Sequence, residues 1–226
     1  MGTGAFSGCV NLREIELPTT LVATCLNQAN ISDETFCKTA LTTIDLKNVT
    51  RMGSNTFKEC PNLSHIDLKK IQYFASDVFR FTLQLTRLIV PNVIGETQSF
   101  HLTNFAYGSH KLTLIDFGPS MAVCGNYLRY MLNSTYGNPP SGWSNVTVVF
   151  RSKSFVLRSG KQALQGSWRC YCTEEMYDYL KNSSNQSYPG MVYLIGGEEW
   201  VEQYGSADPY ANLTPEEKAY YYPDAE

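Results

Sequence analysis

Hydrophobic positions along the first half of the chain follow one pattern that recurs several times. In the complete copies a phenylalanine is followed by aliphatic residues six, nine and eleven positions later. The copies are centred on Phe6, Phe36, Phe57, Phe79 and Phe105, with the second shorter by one residue and the fifth less regular. These phenylalanines are 21 to 30 residues apart. Self-similarity at this period predicts a repeat architecture in which each copy forms one coil and stacks on its neighbours.

The aliphatic half of each copy predicts a short β-strand. In the first copy Ile15 and Leu17 are two positions apart, so both side chains point to one face of the strand. A strand this short cannot bury its apolar face alone. Stacking neighbours about 4.8 Å apart gives a parallel sheet with an aliphatic inner face, and the phenylalanines then form a second column on the opposite wall. The strands are predicted at residues 12–17, 41–46, 63–68, 85–90, 112–117 and 146–150.

The last 59 residues differ from the repeats, since they hold ten of the fifteen tyrosines. Thr214, followed by Pro215 and Glu217, has the residues of a helix start. Further strands are predicted at 169–172 and 191–195, and further helices at 173–181 and 197–204. We therefore expect residues 1–155 to form a repeat array of about five to six coils, and residues 156–226 to form a small mixed αβ cap at its C-terminal end.

Charge is distributed unevenly between these two parts, which limits the choice of partners. The formal net charge is −3. Residues 1–167 hold 15 basic and 10 acidic side chains, a net charge of +5, whereas residues 168–226 hold 3 and 11, a net charge of −8. Nucleic-acid binding needs a clustered basic surface, so we expect no nucleic-acid partner. No apolar run approaches the roughly 18 residues of a membrane span, so we expect no membrane insertion.

The residue types that carry most catalytic chemistry form no recognisable motif in this sequence. The seven cysteines are an odd number and do not suggest a disulfide framework. Cys9 and Cys60 share one repeat position, which predicts a small, buried apolar side chain, while Cys170 and Cys172 have no histidine nearby to complete a metal site. No metalloprotease or phosphate-loop motif is present, and none of the three histidines belongs to a nucleophile–base signature. We expect no enzymatic activity, no cofactor and no bound metal.

The pattern Gly-x-x-[Ala/Thr]-Phe-x-x-Cys-x-x-Leu-x-x-Ile-x-Leu-Pro resembles the BspA-like (Treponema-type) leucine-rich repeat. The resemblance is clear over residues 1–117 and weaker up to residue 150. It implies an α/β repeat solenoid, a right-handed leucine-rich-repeat coil with a parallel sheet on one face. It also implies a protein that is exposed at the cell surface or secreted and that binds other proteins or host cells, with no shared catalytic site. Two departures from the family are the Cys-Tyr-Cys strand at 170–172 and the long segment 188–226.

The outward-facing strand positions are the candidate binding residues. Stacking brings equivalent positions of neighbouring strands to about 5 Å from each other, so they form two columns. The first column is varied and contains Glu14, Thr43, His65 and Arg87, followed by Leu114. The second is mostly acidic and contains Glu16, Asp45, Asp67 and Asp116, interrupted by Ile89. Like charges this close destabilise each other by a few tenths to about 1 kcal/mol. The acidic column therefore invites a cationic protein surface or a divalent ion, and it equally fits a row of solvated carboxylates.

Two functions stay open for such a binding module. The first is adhesion or protein–protein interaction at the cell surface, through the two columns. The second is a phage virion or receptor-binding component that carries a leucine-rich-repeat array, which would place the chain in a phage particle. Met1 stands where later copies have Ile31, Met52 and Phe74, so we expect a first coil without a cap, self-association through that open coil, and a chain that is part of a longer protein.

Overall fold

The computed structural model describes residues 1–21, 31–95, 104–124, 146–157, 169–183 and 192–225. Within these ranges the chain forms nine strands and three helices. The strands are β1 (Arg51–Met52), β2 (Tyr73–Phe74), β3 (Arg87–Val90), β4 (Leu114–Phe117), β5 (Val123–Cys124), β6 (Thr147–Phe150), β7 (Val156–Leu157), β8 (Arg169–Cys172) and β9 (Val192–Leu194). The helices are α1 (Glu174–Ser183), α2 (Glu198–Tyr204) and α3 (Pro215–Tyr221).

Five parallel strands form the main sheet, in the order β3-β4-β6-β8-β9. The register aligns Arg87 with Leu114 and Ile89 with Asp116, as the two predicted columns require. Strands β8 and β9 add to the same sheet in parallel. The sheet therefore continues past residue 155, where we expected the repeat array to end. Two short parallel pairs, β1 with β2 and β5 with β7, accompany the main sheet.

The strands predicted in the first three repeats are extended segments and form no regular strand ladder. The segments concerned are residues 12–17, 41–46 and 63–68. In two of them the carboxylates of Asp45 and Asp67 each accept a hydrogen bond of 2.9 Å from the backbone N–H two residues later. Such local bonds close a turn and compete with sheet pairing. In the second and third repeats the inward side chains are nevertheless buried as predicted, with Ile44 3% and Ile66 4% exposed, whereas Ile15 of the first repeat is only partly buried.

Phenylalanine rings stack through the core on the wall opposite the sheet. Neighbouring rings from Phe6 to Phe79 lie 5.5–5.9 Å apart between centroids and within 11° of parallel. Phe105 continues the column edge-on, 5.3 Å from Phe79. The backbone N–H of Phe57 donates to the Val78 carbonyl of the next repeat at 3.0 Å, and the other phenylalanines of the stack up to Phe79 bond in the same way. The predicted second column is confirmed, and ring packing and backbone bonds together tie each repeat to the next.

The segment after β9 turns back over the outer face of the sheet. We call residues 196–225, which contain α2 and α3, the strap. Its side chains Trp200, Leu213 and Tyr222 form a second core with outward-facing residues of the strands. Those outward-facing residues are Ile89, Leu114, Val149 and Tyr171. The strap is therefore not the cap that we expected at the end of the array. The strap covers the face of the sheet because burying these apolar side chains away from water is favourable.

Local signals in the sequence account for the helices. The side chain of Thr214 accepts a hydrogen bond from the backbone N–H of Glu217, whose carboxylate accepts one in return from the N–H of Thr214. The predicted start of α3 is thus confirmed. Helix α1 follows β8 and places Met176 and Leu180 in the core beneath the sheet. Among the residues described, no helix has both the length and the apolar character to span a membrane.

Replacing Phe57 by alanine is expected to lower the free energy of unfolding by about 3–5 kcal/mol, because the ring is fully buried and its loss leaves a cavity in the stack. Leu83, which is 39% exposed, provides the control. Leu83→Ala should change the free energy of unfolding by no more than about 0.5 kcal/mol. Urea unfolding of both variants measures the difference, and equal losses would show that the phenylalanine column is not the centre of the core.

Candidate functional site

Asp116, one of the eight candidate residues, lies beneath the strap. Its side chain is 0% exposed. The carboxylate accepts hydrogen bonds from the Arg151 guanidinium at 2.8 and 2.7 Å, from the Asn212 amide at 2.7 Å and from the Tyr222 hydroxyl at 2.8 Å. The prediction of an exposed residue at this position is therefore wrong. The strap packs on the apolar outward positions around Asp116 and encloses the carboxylate with them.

Arg151 is the centre of this buried network. Besides its two bonds to Asp116, it donates to the side-chain carbonyl of Asn212 at 2.8 Å. The rings of Tyr210 and Tyr222 lie 4.2 and 5.1 Å from the guanidinium carbon. Burial alone would lower the pKa of Arg151, but the charge of Asp116 and the hydrogen bonds to it outweigh burial and raise that pKa above its ordinary value. The guanidinium consequently stays charged, and it joins the strap to the sheet.

Arg87 is the second candidate that the strap engages. Its guanidinium donates to the two carboxylate oxygens of Glu217 at 2.8 and 2.6 Å and to the backbone carbonyl of Asn212 at 2.8 Å. The side chains of Arg87 and Glu217 are 33% and 22% exposed, so the pair lies at the rim of the strap. A two-point contact of this kind fixes the position of α3 on the sheet. Position 87 is thus less open than predicted, since the Nε and Nη2 groups of Arg87 already donate to the strap.

No local motif marks Arg151, Asn212 or Tyr222 as partners of Asp116, but the strands themselves carry a signal of the strap. Residues 88–90 read Leu-Ile-Val and residues 148–150 read Val-Val-Phe. Uninterrupted apolar runs of this kind are typical of strands that are buried on both faces. The corresponding outward positions in the first three repeats are polar or charged. The change from polar to apolar outward positions therefore predicts that the outer face of the later strands is covered by another part of the protein.

Five of the eight candidates are open to solvent. They are the exposed residues Glu14, Glu16, Thr43, Asp45 and His65, which we call the open face. Three of the five are carboxylates, as the sequence predicts for the acidic column. The carboxylate of Asp45 lies 2.8 Å from the Lys47 ammonium, and its hydrogen bonds with Lys47 lower the pKa of Asp45. The open face is thus acidic, with its charge partly balanced at one edge.

Asp67 marks the border between the open face and the strap. It is half-buried, and its carboxylate accepts a hydrogen bond of 2.5 Å from the Tyr220 hydroxyl in α3. This hydrogen bond is the main reason why the pKa of Tyr220 is raised to about 12, so the phenol stays neutral at physiological pH. The Lys69 ammonium donates to the backbone carbonyl of Tyr220. The end of α3 is therefore attached to the third repeat by two contacts.

The cysteines whose side chains are described are free thiols. Cys60 is buried as predicted, and its Sγ donates to the Phe36 carbonyl at 3.0 Å. Cys170 and Cys172 are also buried, and burial raises the pKa of Cys172 to about 12. Cys9 is exposed, contrary to prediction, because its side of the first repeat faces solvent. Among the described residues, no group of three His, Cys, Asp or Glu side chains could hold a metal ion.

Comparison with known proteins identifies the repeats. Residues 1–110 match the model of the BspA type leucine rich repeat region, in six copies. None of the curated proteins compared with the chain matches it. One similar solved structure is the crystal structure of the pneumococcal vaccine antigen PcpA, with 18% sequence identity and a TM-score of 0.47. That match covers 68% of this chain and 36% of the PcpA chain.

Replacing Arg151 by alanine is expected to lower the free energy of unfolding by about 3–5 kcal/mol, because Asp116 is then left buried without its cationic partner. The double variant Arg151→Met with Asp116→Leu removes both charges and should recover part of that loss, but not all of it, because Asn212 and Tyr222 lose their acceptor. Lys153→Ala is the control, since its ion pair with Glu175 has side chains that are 77% and 49% exposed and should contribute at most about 1 kcal/mol. Chemical unfolding measures all three, and an Arg151→Ala loss no larger than that of the control would refute the role of the pair.

Proposed function

Because residues 1–110 are a BspA-type leucine-rich-repeat region, we propose that the chain is a non-catalytic binding module whose protein partner docks on the open face. The observation that carries the proposal is the contrast between the two halves of the outer sheet face. The outward positions of the first three repeats are exposed except for the half-buried Asp67, whereas those of β3, β4, β6 and β8 lie under or beside the strap. A partner therefore has access to the first half.

The chemistry of the open face favours a partner with a basic surface. Glu14, Glu16 and Asp45 place three carboxylates on neighbouring outward positions, together with the neutral Thr43 and with His65. Complementary charge speeds up association and selects among partners more than it increases affinity. We therefore expect binding that weakens as ionic strength rises, because exposed charges are screened over about 8 Å at physiological salt.

The proposal places the chain at a cell surface or outside the cell, in an adhesive role. Its support is the family of the repeats, since BspA-like arrays are typical of surface-exposed or secreted proteins. The proposal also includes the right-handed solenoid coil that the family implies, and the parallel sheet and the stacked phenylalanines support it. The phage alternative has no support from the comparisons. Self-association through the first coil stays a prediction, which sedimentation at high concentration would test.

The proposed module performs no catalytic step. This part of the proposal is supported by the hydrogen bonding of Asp116 and Arg151, the most deeply buried charged pair among the described residues. The carboxylate of Asp116 accepts four hydrogen bonds from three side chains, and Arg151 is enclosed by the same network. Groups so fully engaged hold a fold together and are not available to a substrate.

Removing two carboxylates from the open face is expected to weaken partner binding. The variant Glu16→Ala with Asp45→Ala should raise the Kd by about ten-fold or more, a loss of ~1.4 kcal/mol. The measurement is surface plasmon resonance on a panel of immobilised extracellular host proteins, such as fibronectin and fibrinogen, at two salt concentrations. Thermal unfolding of each variant verifies that the fold is retained.

The matched control is Glu174→Ala with Asp178→Ala, which removes the same charge from the exposed side of α1. This control should bind like the unmodified chain. If both double variants lose affinity equally, the effect comes from net charge and not from the open face. If no panel member binds saturably, the adhesive role is wrong.

A further inference from the structure

A polar groove lies along the turns that follow the outward positions of the second and third repeats. Its volume is about 340 Å³. It is lined by residues of the turns at 45–49 and 67–71, by Thr19 and by Tyr220 of the strap. This volume falls in the range of about 300–1,000 Å³ that is typical of small-ligand sites. The groove is thus of a size for a small molecule or a short stretch of a polymer.

Hydrogen-bond donors and acceptors stand side by side in this groove. The Lys47 ammonium is 2.8 Å from the Asp45 carboxylate. The Lys70 ammonium donates to the side-chain carbonyl of Asn48 at 2.9 Å, and the Asn48 amide donates to the Thr19 carbonyl at 2.9 Å. An ammonium carries three donors and a carboxylate about four acceptor sites. Each pair therefore keeps unused bonding capacity within the part of the chain that the structure describes.

Tyr220 supplies an aromatic wall that is fixed in place. Its hydroxyl donates to Asp67 at 2.5 Å, and the Lys69 ammonium lies 4.3 Å from its ring centroid. The side chain is nevertheless 49% exposed. An aromatic ring that is anchored through its hydroxyl, packed against an ammonium group and still half exposed offers apolar contact with little loss of conformational entropy on binding.

We propose that this groove binds a saccharide. Neighbouring hydroxyl groups of a sugar ring each donate and accept, so one can donate to a carboxylate while the next accepts from the adjacent ammonium. The pair Asp45 with Lys47 offers this arrangement, and the pair Asn48 with Lys70 offers a similar one with an amide oxygen in place of the carboxylate. The C–H face of a sugar ring is apolar and fits against the ring of Tyr220. The groove therefore meets the three requirements of a sugar: paired acceptors, paired donors and an aromatic surface.

The charge of the groove sets which saccharides fit. Two carboxylates, Asp45 and Asp67, face three ammonium groups, those of Lys47, Lys69 and Lys70, so the formal net charge is +1. Asp45 and Lys47 neutralise each other as an ion pair, and the Asp67 carboxylate and the Lys70 ammonium bond to neutral groups, so a neutral sugar is not repelled. The single excess ammonium admits a carboxylated sugar unit but does not require one.

A second groove extends the site along the same edge of the sheet. It has a volume of about 270 Å³ and is lined by Pro91 and Pro119 from the turns after β3 and β4, and by Tyr210 and Tyr221 of the strap. Tyr220 lines the first groove and Tyr221 the second, and their rings are 4.9 Å apart. A saccharide chain longer than the first groove would continue along the turns onto these tyrosines. Affinity should therefore increase with the number of sugar units.

This inference goes beyond the proposed function, because the saccharide lies at the turns and the protein partner lies on the open face. Asp45 is shared by the two sites. Asn48, Lys70 and Tyr220 belong to the groove alone, and Glu14, Glu16 and His65 belong to the open face alone. Variants at these separate residues keep the two proposals distinguishable.

Titration calorimetry of the full chain with defined oligosaccharides tests the site. The probes are neutral hexasaccharides of glucose, mannose and N-acetylglucosamine, a hyaluronan hexasaccharide as the carboxylated probe, and the disaccharides of each series. We expect saturable binding of at least one series, with the hexasaccharide binding about ten-fold or more tightly than its disaccharide. Lys70→Ala and Tyr220→Ala should each weaken that binding about ten-fold.

Lys111→Ala and Tyr179→Ala are the controls, because both residues are exposed and neither lines the groove. They should bind like the unmodified chain. Tyr220→Ala also removes a contact of the strap, whereas Lys70 touches no strap residue in the contacts described, so Lys70→Ala separates a local loss from a displaced strap. The proposal is overturned if no series binds, or if binding survives Lys70→Ala unchanged. Protein binding that persists without any saccharide binding would overturn this inference and leave the proposed function standing.

Discussion

The buried contact between Asp116 and Arg151 is the constraint on which the arrangement of the outer face depends. Removing two charges from water is unfavourable by several kcal/mol for each ion, and it is tolerated only when each remaining donor and acceptor finds a partner. Asn212 and Tyr222 supply those partners from the strap. A strap shifted by one residue would leave the pair unsatisfied. The ion pair therefore specifies where the strap lies, while Trp200 and Leu213 supply the apolar burial.

This constraint divides the outer face of the repeats into two parts with different roles. In the covered part the outward positions are structural, since Ile89, Leu114 and Val149 belong to a second core. In the open part the same positions carry solvated carboxylates. The strap also contributes to the open part, because Tyr220 reaches Asp67 and forms one wall of the groove beside the turns. A segment that closes one half of the face thus shapes the edge of the other half.

Much of this organisation can be predicted from the sequence, because the repeat is local and periodic. The phenylalanine column follows from offsets within one copy, as does the alignment of Ile89 with Asp116. The start of α3 follows from three neighbouring residues. The position of the strap on the sheet cannot be predicted in this way. Asp116 bonds to residues 96 and 106 positions further along the chain, and no periodicity links them. Regular strands were predicted in the first three repeats but are not formed, because the spacing of apolar residues indicates which side chains are buried and not how the backbone pairs.

The distance along the chain between the strap and the strands beneath it has a consequence for biosynthesis. Tyr222 contacts the carboxylate of Asp116 in β4, which precedes it by 106 residues, so the ribosome completes β3, β4 and β6 before the strap that covers them exists. During that interval a row of Ile, Leu and Val side chains faces the cytoplasm or the translocation machinery. Local repeats can form early, but contacts this distant form late. A nascent chain truncated before the strap at residues 196–225 would therefore expose the apolar outer face of the sheet, which is the kind of surface that chaperones bind.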